Sequence, residues 1–141
     1  MRTRVMLWCL AILFAAYGTN LASADTPKKN DVQIEINLAA QTLTYHSKNL
    51  ARSFHCSTGK SGHRTPKGDF KVYAKERHAV SYKYGNTPMP FTLWFLPAGY
   101  GIHASTSVPN HPASHGCVRL HYQDAKWLFY RVPVGTLVHI R

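Results

Sequence analysis

Acidic side chains are scarce in this chain of 141 residues: 6 Asp and Glu stand against 17 Lys and Arg, a formal net charge of +11. No Asp or Glu occurs between Glu76 and Asp124, so a histidine in that stretch has no neighbouring carboxylate along the chain to orient it. Cysteine is also sparse, with three in all, which excludes a multi-bridge disulfide framework. The apolar run from Val5 to Tyr17 is uncharged but short for a transmembrane helix. Repeats and low-complexity tracts are missing, and solenoid architectures with them. The cationic residues are scattered, with no block like a nucleic-acid-binding arm.

What is present begins with an export signal. Arg2 and Arg4 precede the apolar run, and Ala22-Ser23-Ala24 follows it as a small-residue cleavage site. This is the pattern of a secretory signal peptide over residues 1–24. Cys9 lies within the run, has no small residues before it, and is expected to leave with the signal. Cleavage leaves 117 residues from Asp25, with 15 cationic against 6 acidic side chains, a net charge of +9. That length suits one domain with a modest core. No stable membrane insertion is expected after cleavage, and an exported chain rarely meets nucleic acid. Such charge favours carboxylate-rich or polyanionic surroundings, although a basic soluble surface explains much of it alone.

Residues 25–31 read as a flexible lead-in, and 32–141 as the domain. Val32, Ile34, Ile36 and Leu38 alternate with polar residues, as do Leu43 and Tyr45, so the two segments form a hairpin. Leu50 to Ser57 is a third strand. Thr58 to Gly68 is a long loop punctuated by Gly and Pro. Phe70, Val72 and Ala74 mark a fourth strand, whereas Glu76 to Pro90 has no clean period and reads as a loop. Phe91–Leu96 and Tyr100–Ala104 are further strands, Ser105–Ser114 a loop, Tyr122–Tyr130 the one helix, and Val134–Arg141 a closing strand. Many short strands between Gly/Pro turns predict a mainly β sandwich-like or barrel-like domain with one short helix near the C-terminus.

The stretch Ser114-His115-Gly116-Cys117-Val118-Arg119-Leu120 places a thiol after a glycine and before a strand, with Ile102-His103-Ala104 upstream. A thiolate attacks amide carbonyls once a base or cation draws off its proton. Together with Ser57-Thr58-Gly59-Lys60, Thr65-Pro66-Lys67-Gly68-Asp69-Phe70, Met89-Pro90-Phe91 and Tyr100-Gly101-Ile102-His103, this ordered series resembles the L,D-transpeptidase catalytic domain, also called YkuD. The resemblance spans roughly Val32 to Arg141.

The resemblance implies a compact β-structure cradling Cys117 as nucleophile and His103 as general base and acid. It places the Ala104 backbone carbonyl as the acceptor that orients His103. His115, two residues before the thiol, has a supporting role and in an extended segment shares its side. The N–H groups of Gly116 and Cys117 are expected oxyanion donors. Ser114 supports the loop or meets substrate. Arg119 could hold a substrate carboxylate, or be a solvated surface arginine. Cys56 stands where the family is usually aliphatic, either as an inert core thiol or as a partner that silences Cys117.

The implied activity is that of an exported peptidoglycan transpeptidase of a bacterial periplasm or wall zone. It acts in cell-wall organisation on the third-position diamino acid of a stem tetrapeptide, with release of D-Ala. A second stem, a lipoprotein lysine or water takes the acyl group. No metal or organic cofactor is implied, and acylation by carbapenems is. Two other readings stay open: a silent module that binds wall peptides, and a zinc hydrolase built on His103, His111, His115 and Cys117.

Overall fold

The computed structural model describes residues 31–141. The expected signal peptide, and the lead-in apart from Asp31, lie outside the described residues. Nine strands form one sheet: β1 (Gln33–Asn37), β2 (Thr42–Ser47), β3 (Leu50–Ser57), β4 (Gly68–Lys71), β5 (Ala74–Ser81), β6 (Thr87–Leu96), β7 (Tyr100–Ala104), β8 (Val118–Leu120) and β9 (Leu137–Ile140). A 3₁₀ turn at Tyr82–Tyr84 joins β5 to β6, and one helix, α1 (Tyr122–Arg131), follows β8.

The strand order is β4-β9-β1-β2-β3-β8-β7-β6-β5. Its two end strands, β4 and β5, are separated along the chain by Val72 and Tyr73 alone. A nine-stranded ribbon whose ends are that close in sequence must curl round on itself. The hydrogen bonds mark the crossing: Val72 N–H donates to Thr136 O on the β9 side, and Tyr73 N–H donates to Trp94 O of β6. The single strand expected over Phe70–Ala74 is therefore two strands with different partners. Its unbroken apolar alternation hides the exchange, because Val72 stays fully buried through it.

The curl encloses the core. Ile34 and Ile36 of β1, Leu43 and Tyr45 of β2, Leu93 and Phe95 of β6, Val118 and Leu120 of β8, and Val138 and Ile140 of β9 all point inward. This is the period-two signature of strands with one buried face. α1 packs against β6 and β7 and buries Ala125 and Leu128. Truncating a leucine as buried as Leu128 costs roughly 2–5 kcal/mol. The helix ends where Val132 N–H donates to Leu128 O and Pro133 follows, which cannot continue the ladder.

The segment Glu76–Pro90, expected as a loop, is instead the antiparallel hairpin of β5 and β6. Pro88 and Pro90 sit opposite Val80 and His78, in a stretch of β6 that β7 does not reach, since β7 pairs only with Leu93–Leu96. A proline is tolerated where a strand borders a single neighbour. Most of β5 is exposed or half-exposed, so no alternation announces it. The closing strand starts at Leu137, three residues later than expected, after the turn closed by Thr136 N–H donating to Pro133 O.

Candidate active site

β7 and β8 run parallel, with Ile102 opposite Val118, His103 opposite Arg119 and Ala104 opposite Leu120. Ile102, Ala104, Val118 and Leu120 turn into the core, which places His103 and Arg119 together on the other face. Cys117, two residues before Arg119, approaches the start of β7, where its Sγ–H donates to Gly99 O at 3.5 Å. Adjacent parallel strands thus bring the imidazole and the guanidinium to one face and the thiol to the start of the strand that carries His103, although 14 positions separate His103 from Cys117 in sequence.

His103 is buried, and its Nδ1 donates to Ala104 O at 2.8 Å, the orienting bond expected for it. With the proton on Nδ1, the free lone pair is on Nε2. Burial pushes the imidazole down to about 4, partly opposed by the Ala104 bond and reinforced by the Arg119 charge. The half-buried Cys117 thiol is pushed up by burial, while a hydrogen bond from Gly101 N–H and the Arg119 cation pull the other way. Both groups therefore rest neutral. Arg119 favours negative charge at the thiol and opposes positive charge at the imidazole, so it belongs to the site electrostatically as well as by position.

The loop carrying Cys117 is braced from two sides. Ser114 is buried; its hydroxyl donates to Cys117 O at 2.5 Å and accepts from Gly116 N–H at 3.0 Å. Ser114 thus acts on its own turn, and the Gly116 N–H expected as an oxyanion donor is already occupied. Among the described residues, no acceptor takes the Cys117 N–H. Gly116 has φ 123°, and a Cβ there would meet the Tyr100 ring at 2.5 Å, so only glycine fits. The other brace is the Thr58–Lys67 loop. Thr58 O accepts from Ala113 and Ser114 N–H, and Lys60 N–H donates to Ser114 O.

That positive φ at Gly116 breaks the extended geometry that would set His115 and Cys117 on one side. His115 instead projects to the surface, stacked on Tyr84 with centroids 4.4 Å apart and edge-on to His63 at 4.9 Å. Its imidazole is held down by desolvation and by the neighbouring Lys60, Arg119 and Lys83 cations. The Tyr84–His115 stack lies between two adjoining clefts. One, of about 180 Å³, is lined by His103, Arg119, Ser105, Ser114 and Met89. The other, of about 280 Å³, is lined by Gly99, Tyr100, Trp94, Tyr82 and Lys83. The β5–β6 hairpin supplies wall to both, and sequence reasoning missed it together with His63.

Cys56 and Cys117 are both free thiols. Cys56 is fully buried in the core, and burial pushes its thiol up to about 12. The histidines considered as zinc ligands diverge: His103 turns Nδ1 to its own strand, His111 is exposed, and His115 stacks on Tyr84. Among the described residues, no three His, Cys, Asp or Glu side chains converge as a metal-binding group.

Comparisons with known proteins identify the family and the fold. The sequence model of the L,D-transpeptidase catalytic domain, YkuD, matches residues 31–140. YkuD of Bacillus subtilis, assigned as an L,D-transpeptidase, is 32% identical over 117 residues, covering 76% of this chain and 64% of that protein. The chain therefore spans a little under two thirds of that relative. Among solved structures, an L,D-transpeptidase from Xylanimonas cellulosilytica superposes with a TM-score of 0.70 at 32% identity, over 78% of this chain and 60% of that one. An L,D-transpeptidase from Mycobacterium smegmatis shares the fold at a TM-score of 0.73 and 23% identity, over 79% of this chain and 58% of that one. With the family match covering most of its length, the chain belongs to the L,D-transpeptidase catalytic domain (YkuD) family.

Proposed function

We propose that this protein is an exported cysteine L,D-transpeptidase acting on peptidoglycan stem peptides, with Cys117 as nucleophile and His103 as general base and acid. The observation that carries the reading is the His103 Nδ1–Ala104 O bond at 2.8 Å, on a strand paired in parallel with the one that follows Cys117. It leaves the Nε2 lone pair free to take a proton. Export over residues 1–24, a lead-in at 25–31 and a catalytic domain at 32–141 complete the reading.

The chemistry follows from the neutral resting pair. Cys117 Sγ attacks the carbonyl carbon of the third-position diamino acid while His103 Nε2 takes the thiol proton. The carbonyl π electrons move onto oxygen, and the Cys117 N–H donates to that oxyanion. Gly116 N–H, occupied by Ser114 Oγ, does not serve. On collapse the C–N bond breaks, His103 delivers its proton to the departing D-Ala amine, and a thioester remains. An acceptor amine then attacks the thioester, passes a proton to His103, and the returning thiolate recovers it. A second stem as acceptor gives a cross-link, a lipoprotein lysine an anchored protein, and water a trimmed stem. Arg119, beside His103 in the smaller cleft, suits a substrate carboxylate. His115 supports the site as part of the cleft wall.

The test is intact-mass measurement of the full chain after exposure to a carbapenem, beside Cys117→Ala. The expected result is one stable adduct on the native protein and none on the variant. A native protein that stays unmodified while reduced would remove the reading and leave a wall-peptide-binding module in its place.

A further inference from the structure

The Thr65 hydroxyl sits buried between two loops, and the proposed function as stated leaves it without a part. It accepts from Gly59 N–H at 2.9 Å and donates to Gly116 O at 2.8 Å. The direction of the second bond follows from the first. An amide N–H can only donate, so the hydroxyl's lone pair serves Gly59 and its hydrogen is left for the Gly116 carbonyl. The approach is fixed by packing as well. A side chain at Gly59 would collide with His63 O and the backbone of Arg64 and Thr65, so the Thr58–Lys67 loop closes tightly around this hydroxyl.

The Gly116 carbonyl and the Cys117 N–H belong to one peptide group. A trans peptide is planar, with its C=O and N–H pointing in opposite directions. Anchoring the carbonyl oxygen on one side therefore aims the N–H at the other. Gly116 makes this anchoring necessary, because a glycine at φ 123° is free to rotate the plane where another residue would resist. The remaining bonds of the turn do not set this plane: Ser114 Oγ holds the Gly116 N–H and the Cys117 carbonyl, which belong to the two flanking peptide groups.

We propose that Thr65 is a positioning residue for acyl transfer, its hydroxyl locking the Gly116–Cys117 peptide plane so that the Cys117 N–H faces the oxyanion. The inference rests on the proposed transpeptidase reading. It assigns to the Thr-Pro segment, 51 positions from Gly116 in sequence, a role in transition-state stabilisation that touches neither substrate nor thiol.

The test compares two reactions of the same sulfur in the full chain. Carbapenem acylation passes through a tetrahedral oxyanion. Alkylation by iodoacetamide displaces iodide at a saturated carbon and needs no oxyanion donor. Thr65→Val is expected to slow acylation by about 10- to 100-fold, somewhat less than outright loss of an oxyanion-hole donor, with Cys117 alkylation within about 2-fold of native. Thr65→Ser, which keeps both bonds, is expected to restore acylation to within about 3-fold. If Thr65→Val does not fold, Thr65→Ala leaves room for a water in place of the hydroxyl and is expected to show the same split in smaller degree. Unchanged acylation in the Val or Ala variant overturns the proposal, as does an equal loss of acylation and alkylation, which would make Thr65 merely structural. A native protein alkylated by iodoacetamide but never acylated would instead bring down the transpeptidase reading itself.

Discussion

The depressed basicity of His103 makes the fold itself sensitive to acid. A histidine of ordinary value near 6.5 is held at about 4 here. Above pH 6.5 the imidazole is neutral both folded and unfolded, and there is no penalty. As pH falls below 6.5 the unfolded chain takes up a proton that the folded chain refuses, so stability drops. The loss levels off below pH 4, where both states are protonated. The full gap of 2.5 pKa units corresponds to about 3.4 kcal/mol at 1.36 kcal/mol per unit. At pH 4.5, still above the folded-state value of about 4, the loss has reached only about 2.5 kcal/mol. For a domain of this size that is a fall in Tm of about 10 °C.

The assay is urea denaturation of the native protein and of His103→Gln at pH 7.5 and 4.5. The variant is expected to lose about 2.5 kcal/mol less on acidification, whatever its stability at pH 7.5. Other acid-sensitive groups act equally in both proteins. Asp69, for example, is held below the usual carboxylate range by hydrogen bonds from His139 and Arg141, and its contribution cancels in the difference. If both proteins lose the same stability within about 0.5 kcal/mol, His103 is not buried as a neutral base. The acylation rate should agree with the stability data. A base held near 4 stays neutral, and the acid limb of the pH profile falls close to that value, not near 6.5.

Three further outcomes are expected. Gly116→Ala forces a left-handed φ and drives a methyl into the Tyr100 ring; it should destabilise by about 1–3 kcal/mol and abolish the carbapenem adduct, read by thermal melting and intact mass. Peptide mapping after brief alkylation should find label on Cys117 under native conditions and on Cys56 only in denaturant, because Cys56 is fully buried with its thiol at about 12. Gln41→Leu should cost about 1–3 kcal/mol in a urea titration, since the buried Gln41 side chain accepts from Thr58 N–H and donates to Thr58 Oγ1.

The elements readable in the sequence are those with one wet and one dry face. β1 alternates exposed and buried along its whole length, β8 does so over three residues, and α1 carries Ala125 and Leu128 on one stripe. The β5–β6 hairpin escapes the same reading because it stands partly clear of the body. Phe91 obscures it further, with φ 57° in a stretch where Phe91, Thr92 and Leu93 are all buried, so the period of two is lost. The exchange of partners at Val72 and Tyr73 leaves no local trace, because what changes there is which distant strand accepts the hydrogen bond.

The site divides along the same line. Cys117, His103 and Ala104 are legible because their geometry is written into two short strands and a register. The proposed oxyanion donor is only half legible: the sequence places Gly116 and Cys117 together, but the Ser114 hydroxyl decides which N–H is left free, and that is a fact of side-chain rotation. Tyr84, His63 and Thr65 reach the site through tertiary closure, from a hairpin and a loop whose ladders and turns are set elsewhere. The proposed nucleophile and base are thus encoded locally, and the walls of the adjoining clefts come from remote segments. Replacing the Tyr82–Tyr84 turn should accordingly change which stem or acceptor is used while leaving Cys117 alkylation intact, whereas changes in Ser114–Arg119 should affect every substrate alike.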